Sequence, residues 1–387
     1  MLSKRARLLL PSATLEVDAL AKQLEEQGKP VINLTIGEPD FATPTHIGEA
    51  AYKAIKDGFT HYTATAGILP LRQAIAEKLK KDNDVSYDPS EIIVGVGTKQ
   101  ILYNTFQVLV EEGMEVIIPT PTWSTYVEQV KLALGKPVLI PLKPPFKLKA
   151  QDIEPYISKK TKAIIINSPS NPTGAVIDKE ELFKIAQIAV EKNIFIISDE
   201  IYEKLIYEGA HYSIASLGKK IKDLTITVNG FSKSYAMTGW RIGYAAGPKE
   251  VIKAMTSFQG QTTSNTSSIA QFAGIAALQG TQEPLAMMKK EFEKRRNFLC
   301  SEFSKIENIS FIPPSGAFYT FIGIQKLLKP GETATDWCNK LLNEKFVAVV
   351  PGEAFCAPGY FRLSFASSLE NLKEGVRRIK EFINRAK

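Results

Sequence analysis

A lysine in a turn of small residues is the strongest candidate for chemistry in this sequence. Lys233 lies in the stretch GFSKSYAMTGWRIG, directly after the apolar run LTITV, which is typical of a buried strand. Lysine forms Schiff bases with carbonyl compounds once desolvation or a nearby cation lowers its pKa. The small neighbours leave room for a planar cofactor, and Arg241 further along could hold a phosphate through two parallel hydrogen bonds. The alternative interpretation is a surface lysine in a Gly/Ser turn.

A glycine turn before a helix supplies a second chemical signal. Residues 92–100, IIVGVGTKQ, predict a strand, a tight turn and the first turn of a helix. Backbone N–H groups at such a helix start point outward and favour anions. Gly97, Thr98 and Lys99 are therefore candidate phosphate ligands alongside Arg241.

Polar residues follow apolar strands at other points as well. Asn171 comes after the run AIII, and Asp199 and Tyr202 come after IFII, as Lys233 comes after LTITV. Ligands bind at the carboxyl ends of the strands in parallel α/β sheets, so we expect these four side chains to meet at one edge. Taken alone, Asp199 could instead cap a helix.

The remaining elements must position these residues. Apolar runs that alternate with helical periodicity predict an α/β protein. A helix ending at Gly28 is expected near the N-terminus, another opens at Leu69, and one long helical region runs from Gly247 to about Leu278. Beyond residue 309, short strands and turns predict a second, smaller domain that the N-terminal segment joins.

Composition limits the other classes of function. The 387 residues are 44% hydrophobic, enough for a large core, and the net charge is +7. Basic and acidic residues are mixed, as in EKLKKD, which predicts a solvated surface and no nucleic-acid partner. Three scattered cysteines and three scattered histidines predict a cytoplasmic protein with neither a disulfide framework nor a metal site. We expect no membrane span and no signal peptide, because the apolar runs are too short.

Taken together, these motifs resemble those of the class I and II pyridoxal-phosphate-dependent aminotransferases. The resemblance covers almost the whole chain in the family's order and is greatest to the bacterial Iβ subgroup of aspartate aminotransferases. It implies fold type I, a mostly parallel seven-stranded sheet with helices on both faces, plus a smaller α/β domain. The implied division is an N-terminal arm and part of the small domain at 1–45, a large cofactor domain at 46–284, and the rest of the small domain at 285–387. A homodimer with shared active sites is also implied.

The resemblance assigns roles to the candidate residues. Lys233 would hold pyridoxal 5'-phosphate as a Schiff base and, once freed, act as the general base. Asp199 would pair with the pyridine nitrogen, Asn171 and Tyr202 would bind the ring oxygen, and Trp123 would stack on the ring. The remaining implied cofactor ligands, all for the phosphate, are Gly97, Thr98, Lys99, Ser232, Arg241 and, from the neighbouring subunit, Tyr62.

Arg362 is the implied ligand of the substrate α-carboxylate. It stands in the apolar stretch FRLSF, where an unpaired arginine is costly to bury. A structural salt bridge to a protein carboxylate is the alternative. The backbone of Gly37, together with Trp123 and Asn171, would also face the substrate.

The distal carboxylate of a dicarboxylic substrate needs another cation. The segment 259–265, QGQTTSN, has no arginine, so Lys99 is the candidate reader, assisted by Thr14. This pair resembles the one in Iβ enzymes that also transaminate prephenate. Lys99 could instead be a solvated lysine on the first helical turn, or a phosphate ligand only.

The implied reaction is ping-pong transamination of L-aspartate and 2-oxoglutarate to oxaloacetate and L-glutamate. Amino acids and 2-oxo acids would be the only small-molecule partners. A prephenate, aromatic or alanine aminotransferase, or a pyridoxal-phosphate lyase on the same scaffold, remains an alternative. A non-catalytic relative is disfavoured, since Lys233 and Arg362 are both present. A cofactor-binding regulator is disfavoured because it would carry a DNA-binding domain, for which we expect no room before residue 15. The resemblance also implies cis peptide bonds at Thr120-Pro121 and Asn171-Pro172.

Overall fold

The structure is a computed structural model that describes residue 7, residue 9 and residues 13–385. Its elements alternate between strand and helix through most of the chain. The strands are β1 (Ile32–Asn33), β2 (Ile92–Gly95), β3 (Glu115–Thr120), β4 (Lys136–Pro141), β5 (Thr161–Asn167), β6 (Phe195–Asp199), β7 (Thr225–Gly230), β8 (Gly243–Ala246), β9 (Ser310–Phe311), β10 (Tyr319–Gly323), β11 (Val347–Ala348), β12 (Val350–Pro351) and β13 (Tyr360–Ser364).

The helices connect and cover these strands. The α-helices are α1 (Ala13–Glu26), α2 (Thr45–Lys56), α3 (Leu69–Asn83), α4 (Gly97–Leu109), α5 (Thr125–Leu132), α6 (Ala150–Ile153), α7 (Lys179–Lys192), α8 (Lys219–Lys222), α9 (Lys249–Gly260), α10 (Ser268–Gln279), α11 (Glu283–Phe303), α12 (Ala334–Lys345) and α13 (Leu369–Arg385). Short 3-10 helices span Pro89–Glu91, Glu154–Tyr156, Ile214–Leu217, Thr238–Trp240 and Gly352–Phe355.

Within the described residues, seven strands form the main sheet in the order β2-β8-β7-β6-β5-β3-β4. Neighbours from β7 to β4 are parallel, and β8 runs antiparallel to β7 and β2. Their side chains alternate between two helical layers: Ile117 and Ile164 pack on the face that α7 covers, whereas Ile118 and Ile165 pack on the face of α4 and α5. The predicted seven-stranded, mostly parallel sheet is therefore confirmed.

A second sheet lies in the later part of the described chain. β12, β13, β10 and β9 form it in that order and run antiparallel, while β1 pairs in parallel with β11. Its core includes stacked Trp337 and Phe361, with ring centroids 5.4 Å apart. The N-terminal strand thus joins the C-terminal elements.

The long helical region predicted from Gly247 to about Leu278 consists of two helices, α9 and α10. Residues 261–267, QTTSNTS, interrupt it, because threonine, serine and asparagine favour turns and caps over helix interiors. Ser264 has a left-handed backbone with φ 57°. The Ser267 hydroxyl accepts the backbone N–H of Ala270 at 3.3 Å and so caps α10.

Other expectations about elements are met. The peptide bonds Thr120-Pro121 and Asn171-Pro172 are both cis, as the family resemblance implied. The first helix ends at Glu26, ahead of Gly28, and α3 begins at Leu69. Among the described residues, we find no helix whose length and hydropathy would suit a membrane crossing.

Candidate active site

The carboxyl ends of β5, β6 and β7 meet at a cavity of about 280 Å³. The chain direction explains this position, because the carboxyl ends of parallel strands share one edge of the sheet. Most residues that the sequence singled out lie there. The predicted residues that line the cavity are Thr14, Gly37, Thr98, Lys99, Trp123, Asn171, Asp199, Tyr202, Ser232, Lys233, Arg241 and Arg362.

Asp199 is the last residue of β6 and is 2% exposed. Its Oδ2 accepts the hydroxyl of Tyr126 at 2.7 Å, and its Oδ1 accepts the backbone N–H of Ile201 at 3.2 Å. Burial raises the pKa of Asp199 to about 6, although both hydrogen bonds act in the opposite direction. The alternative interpretation of Asp199 as a helix cap requires a helix directly after it, but a turn follows instead. A cationic group in the pocket would restore its charged form.

Lys233 stands in the turn after β7, facing the same cavity. Its Nζ donates a hydrogen bond to the backbone oxygen of Gly37. Burial lowers the pKa of Lys233 to about 8, and the nearby Arg362 and Arg241 charges add to this effect. A substantial fraction of the amine is therefore neutral near physiological pH, which a nucleophile or a base requires.

Arg362 is a buried cation in the middle of β13, with 2% exposure. Its Nη1 donates to Asn171 Oδ1 at 2.9 Å, and its Nη2 donates to the Thr35 backbone oxygen at 2.6 Å. Its Nε is buried without a hydrogen-bond partner, and no carboxylate of the described residues forms a salt bridge with it. The rings of Tyr319 and Phe355 flank the guanidinium. The salt-bridge alternative thus finds no partner within the described part of the chain.

The start of α4 and Arg241 form a cationic cup. Arg241 Nη1 donates to the Thr238 backbone oxygen at 2.8 Å. Gly97 has φ 76°, and a Cβ there would lie 2.8 Å from Arg241 Nη2; a Cβ at Gly243 would lie 2.6 Å from the Thr98 backbone nitrogen. Glycine at both places lets Arg241 and β8 approach the helix start, where backbone N–H groups favour an anion.

Lys99 and Trp123 form one wall of the cavity. The Lys99 ammonium lies 5.0 Å from the centre of the Trp123 ring, within cation–π distance. Desolvation lowers the pKa of Lys99, and the Arg241 charge contributes. Among the described residues that line the cavity, Asp199 is the carboxylate, and the cations are Lys99, Lys233, Arg241 and Arg362. The excess of positive charge suits a ligand with several negative charges.

Some site residues were not predicted from the sequence. Tyr126 holds Asp199; its position three residues after Trp123, on the first turn of α5, would have been a usable signal. The Tyr319 and Tyr202 hydroxyls are 2.9 Å apart. Asn167 donates to the Asp199 backbone oxygen at 3.0 Å. The role of Tyr319 depends on the β10–β13 register, which sequence patterns do not reveal.

Two predicted residues are not part of the cavity lining. Gly97 lies behind Arg241 and acts through its lack of a side chain. Tyr62 is 91% exposed and outside the cavity of this chain. Its predicted role concerns a neighbouring subunit, so it stays a prediction.

The fold and the site define a class of protein. A desolvated lysine, a buried carboxylate and a cationic cup at the carboxyl edge of an α/β sheet suit an enzyme that binds a phosphorylated carbonyl cofactor. The chain matches the family model "Aminotransferase class I and II" over residues 29–379. It therefore belongs to the class I and II aminotransferases, and it is a pyridoxal-phosphate-dependent enzyme.

Known proteins are similar to this chain over almost its full length. An aspartate aminotransferase of Bacillus sp. (strain YM-2) is 48% identical, with 99% of each chain covered. A probable aspartate/prephenate aminotransferase of Aquifex aeolicus is 46% identical, with 98% of each covered. The solved aspartate aminotransferase of Thermus thermophilus with maleate has a TM-score of 0.95 at 42% identity, with 99% of each chain covered.

The residues present fit pyridoxal phosphate. The cup of Arg241, Thr98 and Ser232 provides cationic and hydroxyl groups for a phosphate, and the two close glycine approaches keep the cup open to it. Asp199 would supply an anion for the pyridine nitrogen, and Lys233 would supply the amine. When bound, the cofactor provides an electron sink for the substrate carbanion.

Proposed function

We propose that this enzyme transfers the amino group of L-aspartate to 2-oxoglutarate, giving oxaloacetate and L-glutamate. One observation carries the proposal: Arg362 is a buried cation in the cavity without a carboxylate partner among the described residues. A buried unpaired charge costs several kcal/mol, on the order of 3–5 when a partner is missing. A substrate α-carboxylate would supply the missing partner, with two parallel hydrogen bonds.

The second carboxylate of aspartate requires a second cation in the same cavity. Lys99 lines it, and Thr14 of α1 lines it too. The Lys99 ammonium makes a cation–π contact with Trp123, and partial desolvation lowers its pKa, so an anion there would gain more than it would in bulk water. Two relatives whose names specify aspartate, from Bacillus and Aquifex, support a dicarboxylic donor.

The other residues act on the proton and on substrate position. Lys233, neutral in part near pH 7, is the base that takes the proton from the substrate Cα. Asp199 keeps a negative charge opposite the ring nitrogen, and Tyr126 holds that carboxylate in place. Asn171 links Arg362 to the cofactor end of the cavity through its 2.9 Å hydrogen bond. Binding and proton transfer thus share one set of residues in both half-reactions.

Prephenate is a second candidate substrate. The Aquifex relative carries that substrate in its name, and the Trp123 ring beside Lys99 offers an apolar face next to a cation. A larger substrate with a carboxylate on a ring would place the ring against Trp123 and the carboxylate near Lys99.

The assembly we propose is a cytoplasmic homodimer in which Tyr62 reaches the phosphate of the neighbouring subunit. Tyr62 is exposed in the single chain, and other large apolar side chains on the same stretch of sequence are exposed as well, including Tyr52, Ile55 and Phe59. Such exposed apolar residues favour burial against another copy.

A donor panel tests the substrate assignment. Purified enzyme is assayed with aspartate, glutamate, alanine, phenylalanine and prephenate's amino product, and the products are identified, which also separates transamination from a lyase reaction. Lys99→Ala should lower kcat/KM for aspartate and glutamate by roughly 10- to 150-fold, since a charge-assisted contact contributes about 1.5–3 kcal/mol. Alanine and phenylalanine should be affected little.

Two further variants make the result specific. Arg362→Lys should lower kcat/KM for every donor, because all share the α-carboxylate that a single ammonium cannot bind bidentately. Lys184→Ala, which removes a surface ion pair with Glu181, should change nothing. Equal losses on all donors in Lys99→Ala would remove Lys99 as the distal ligand. A wild type that prefers neutral or aromatic donors would overturn the aspartate assignment.

A further inference from the structure

A buried cluster of charged side chains lies behind the active-site cavity and has no role in the chemistry above. Glu200 and Glu203 are almost fully buried, and Lys78 and His211 are about nine-tenths buried. Lys78 belongs to α3, both glutamates to the turn after β6, and His211 to the following loop. Two neighbouring carboxylates are costly to bury unless cations and donors satisfy them.

Glu200 is satisfied on both oxygens. Its Oε1 accepts the hydroxyls of Ser198 at 3.0 Å and Ser213 at 2.8 Å. Its Oε2 lies 3.2 Å from Asn83 Nδ2 and 3.2 Å from His211 Nε2. The carboxylate therefore joins β6, α3 and the loop that carries His211.

Glu203 is satisfied in the same way. Lys78 donates to its Oε1, and Asn83 Nδ2 donates to its Oε2 at 2.6 Å. Lys78 also donates to Asn83 Oδ1 at 2.7 Å, so the α3 side chains are locked to each other. Burial raises the pKa of Glu203, but the charges of Lys78, His211 and Lys204 together outweigh burial and hold that pKa at about 2.

The cluster is better explained as an ion network than as a metal site. Glu200, Glu203 and His211 do place three ligand atoms within 4.8 Å of one another. Lys78, however, already donates to Glu203, and Asn83 donates to both carboxylates. A metal ion would have to displace an ammonium group that is itself buried.

The position of the network relates it to the active site. Asp199 and Tyr202 face the cavity, whereas Glu200 and Glu203 alternate with them and face the network. Asp199 ends β6, and the turn after it has backbone hydrogen bonds from Glu200 N–H to the Val228 oxygen and from Glu203 N–H to the Glu200 oxygen, both at 2.9 Å. The side-chain contacts of Glu200 and Glu203 add to these backbone bonds in fixing the end of β6 and the turn that carries Tyr202.

We propose that Glu200, Glu203, Lys78, Asn83 and His211 form a positioning network that fixes Asp199 and Tyr202 against the cofactor, and that His211 completes the network as a cation. The inference rests on membership of the aminotransferase family and not on the amino donor proposed above. It assigns His211 and its partners an indirect role, through the Asp199–Glu203 segment, since they do not touch the cavity.

Charge balance gives His211 its cationic state. Lys78 alone leaves one of the two carboxylates without a counter-charge, and a protonated His211 supplies it. Lys204 and Asp82 form an ion pair of 2.7 Å at the rim of the cluster, so this pair adds no net charge to it. Burial lowers the pKa of His211, but the Glu200 and Glu203 charges outweigh burial and the opposing Lys78 charge, so the net change is upward.

The pH dependence follows from that direction. A histidine whose pKa is higher in the folded than in the unfolded chain contributes stability fully below its ordinary value, about 6.5. The contribution is lost as the pH rises through the folded pKa. The geometry of Asp199 should loosen over the same range.

Histidine NMR tests the charge directly, because the chain has three histidines, His46, His61 and His211. Apo- and holoenzyme labelled at histidine are titrated with pH, and His46→Gln and His61→Gln assign two resonances so that the third belongs to His211. We expect His211 to keep its proton to a higher pH than an ordinary histidine, whose pKa is about 6.5. A His211 that loses its proton at or below that ordinary value would overturn the proposal.

Variants test the positioning role. His211→Gln should lower kcat by roughly 10- to 100-fold with little change in donor KM, and weaken cofactor binding to the apoenzyme, since displaced catalytic groups cost up to about 100-fold. The pH dependence of the bound-cofactor absorption spectrum should change as well. His211→Lys, which keeps the positive charge, should recover much of both. Asp82→Asn breaks the outer ion pair between the same segments and should behave like wild type.

The outcomes are distinct. Wild-type kcat, cofactor affinity and spectrum in His211→Gln would refute positioning by the network. If His211→Gln does not fold, Ser213→Ala removes one donor to Glu200 and should change kcat and spectrum in the same direction. An unexpected donor preference in the wild type would contradict the aspartate proposal but leave the His211 titration and the cofactor spectrum as valid tests.

Discussion

At the level of single residues, burial shifts Lys233 and Asp199 towards their neutral forms. The pKa of Lys233 falls to about 8 and that of Asp199 rises to about 6. Each is desolvated in the same cavity, and each gains its function from what binds there. A neutral amine can attack a carbonyl, and a buried carboxylate needs a cation.

Replacement of Lys233 should abolish transamination. We expect Lys233→Ala to lose all measurable turnover. Among the described residues that line the cavity, Lys233 is the lysine that follows β7, and its pKa is lowered to about 8. Borohydride reduction of the wild-type holoenzyme, followed by peptide mapping, should label Lys233. The variant Lys99→Ala should still be labelled there. A label on another lysine would contradict the assignment.

Asp199→Asn should raise the stability of the apoprotein at pH 7 and lower the activity of the enzyme. A carboxyl whose pKa is higher in the folded chain binds more protons when folded, so the contribution of Asp199 to apoprotein stability falls as the pH rises from 3.8 to about 6. Since one pH unit corresponds to about 1.4 kcal/mol, the ionised Asp199 costs on the order of 3 kcal/mol at pH 7. The variant apoprotein should be more stable than wild type at pH 7 and equal near pH 4, while turnover is severely reduced.

Thermal unfolding of apoprotein across this pH range measures the first effect, and steady-state kinetics with added cofactor measures the second. Asp178→Asn, at an exposed surface pair with Lys147, is the matched control and should show neither. Near-normal turnover of Asp199→Asn would leave Asp199 with a structural role, as the acceptor of hydrogen bonds from the Ile201 N–H and the Tyr126 hydroxyl.

At the level of elements, the sequence predicted the strand ends well and the contacts between distant elements poorly. Apolar runs that end in turn residues place Asn171, Asp199 and Lys233 at one sheet edge, because parallel strands allow little else. The sequence predicted the helical region that α9 and α10 occupy without giving the position of the turn that divides it. Lys78 and Glu203 are 125 residues apart in the chain, and no local pattern connects them.

Gly97→Ala should weaken cofactor binding through the helix start. A Cβ there would meet Arg241 Nη2 at 2.8 Å, and the φ of 76° disfavours any side chain. A left-handed conformation costs alanine about 1–2 kcal/mol, and displacement of Arg241 adds to it. We expect the Kd of the apoenzyme for pyridoxal phosphate to rise by roughly tenfold or more.

Spectroscopic titration of apoenzyme measures that Kd. Gly48→Ala is the control: it lies within α2, a Cβ there has open space around it, and alanine favours helix. It should bind cofactor normally and be slightly more stable. Unchanged affinity in Gly97→Ala would remove the phosphate role of this helix start.

At the level of the whole molecule, the chain presents one cationic cavity between elements of two sheets. Strands between residues 92 and 246 form the main sheet, and β1 joins the later strands. The division at residues 45/46 and 284/285 stays a prediction. Arg362 from the second sheet and Lys233 from the first line the same cavity. Tyr62, the ligand predicted to act on a neighbouring subunit, is 91% exposed in this single chain.

Mixed dimers should reveal whether Tyr62 acts in trans. Tyr62→Phe lacks the hydroxyl for the phosphate, and Lys233→Ala lacks the amine. If Tyr62 serves the neighbouring subunit, a dimer of one Lys233→Ala chain and one Tyr62→Phe chain contains one site with both residues intact, because a two-fold dimer exchanges the contributions. If Tyr62 serves its own chain, no site is intact.

We expect differently tagged chains, refolded together and purified as the hybrid, to bind one equivalent of cofactor with wild-type affinity and to show about half the wild-type turnover. Tyr62→Phe homodimers should bind it more weakly at every site. A hybrid that has only the weakened affinity, or a protein that sediments as a monomer at assay concentration, would contradict the shared site.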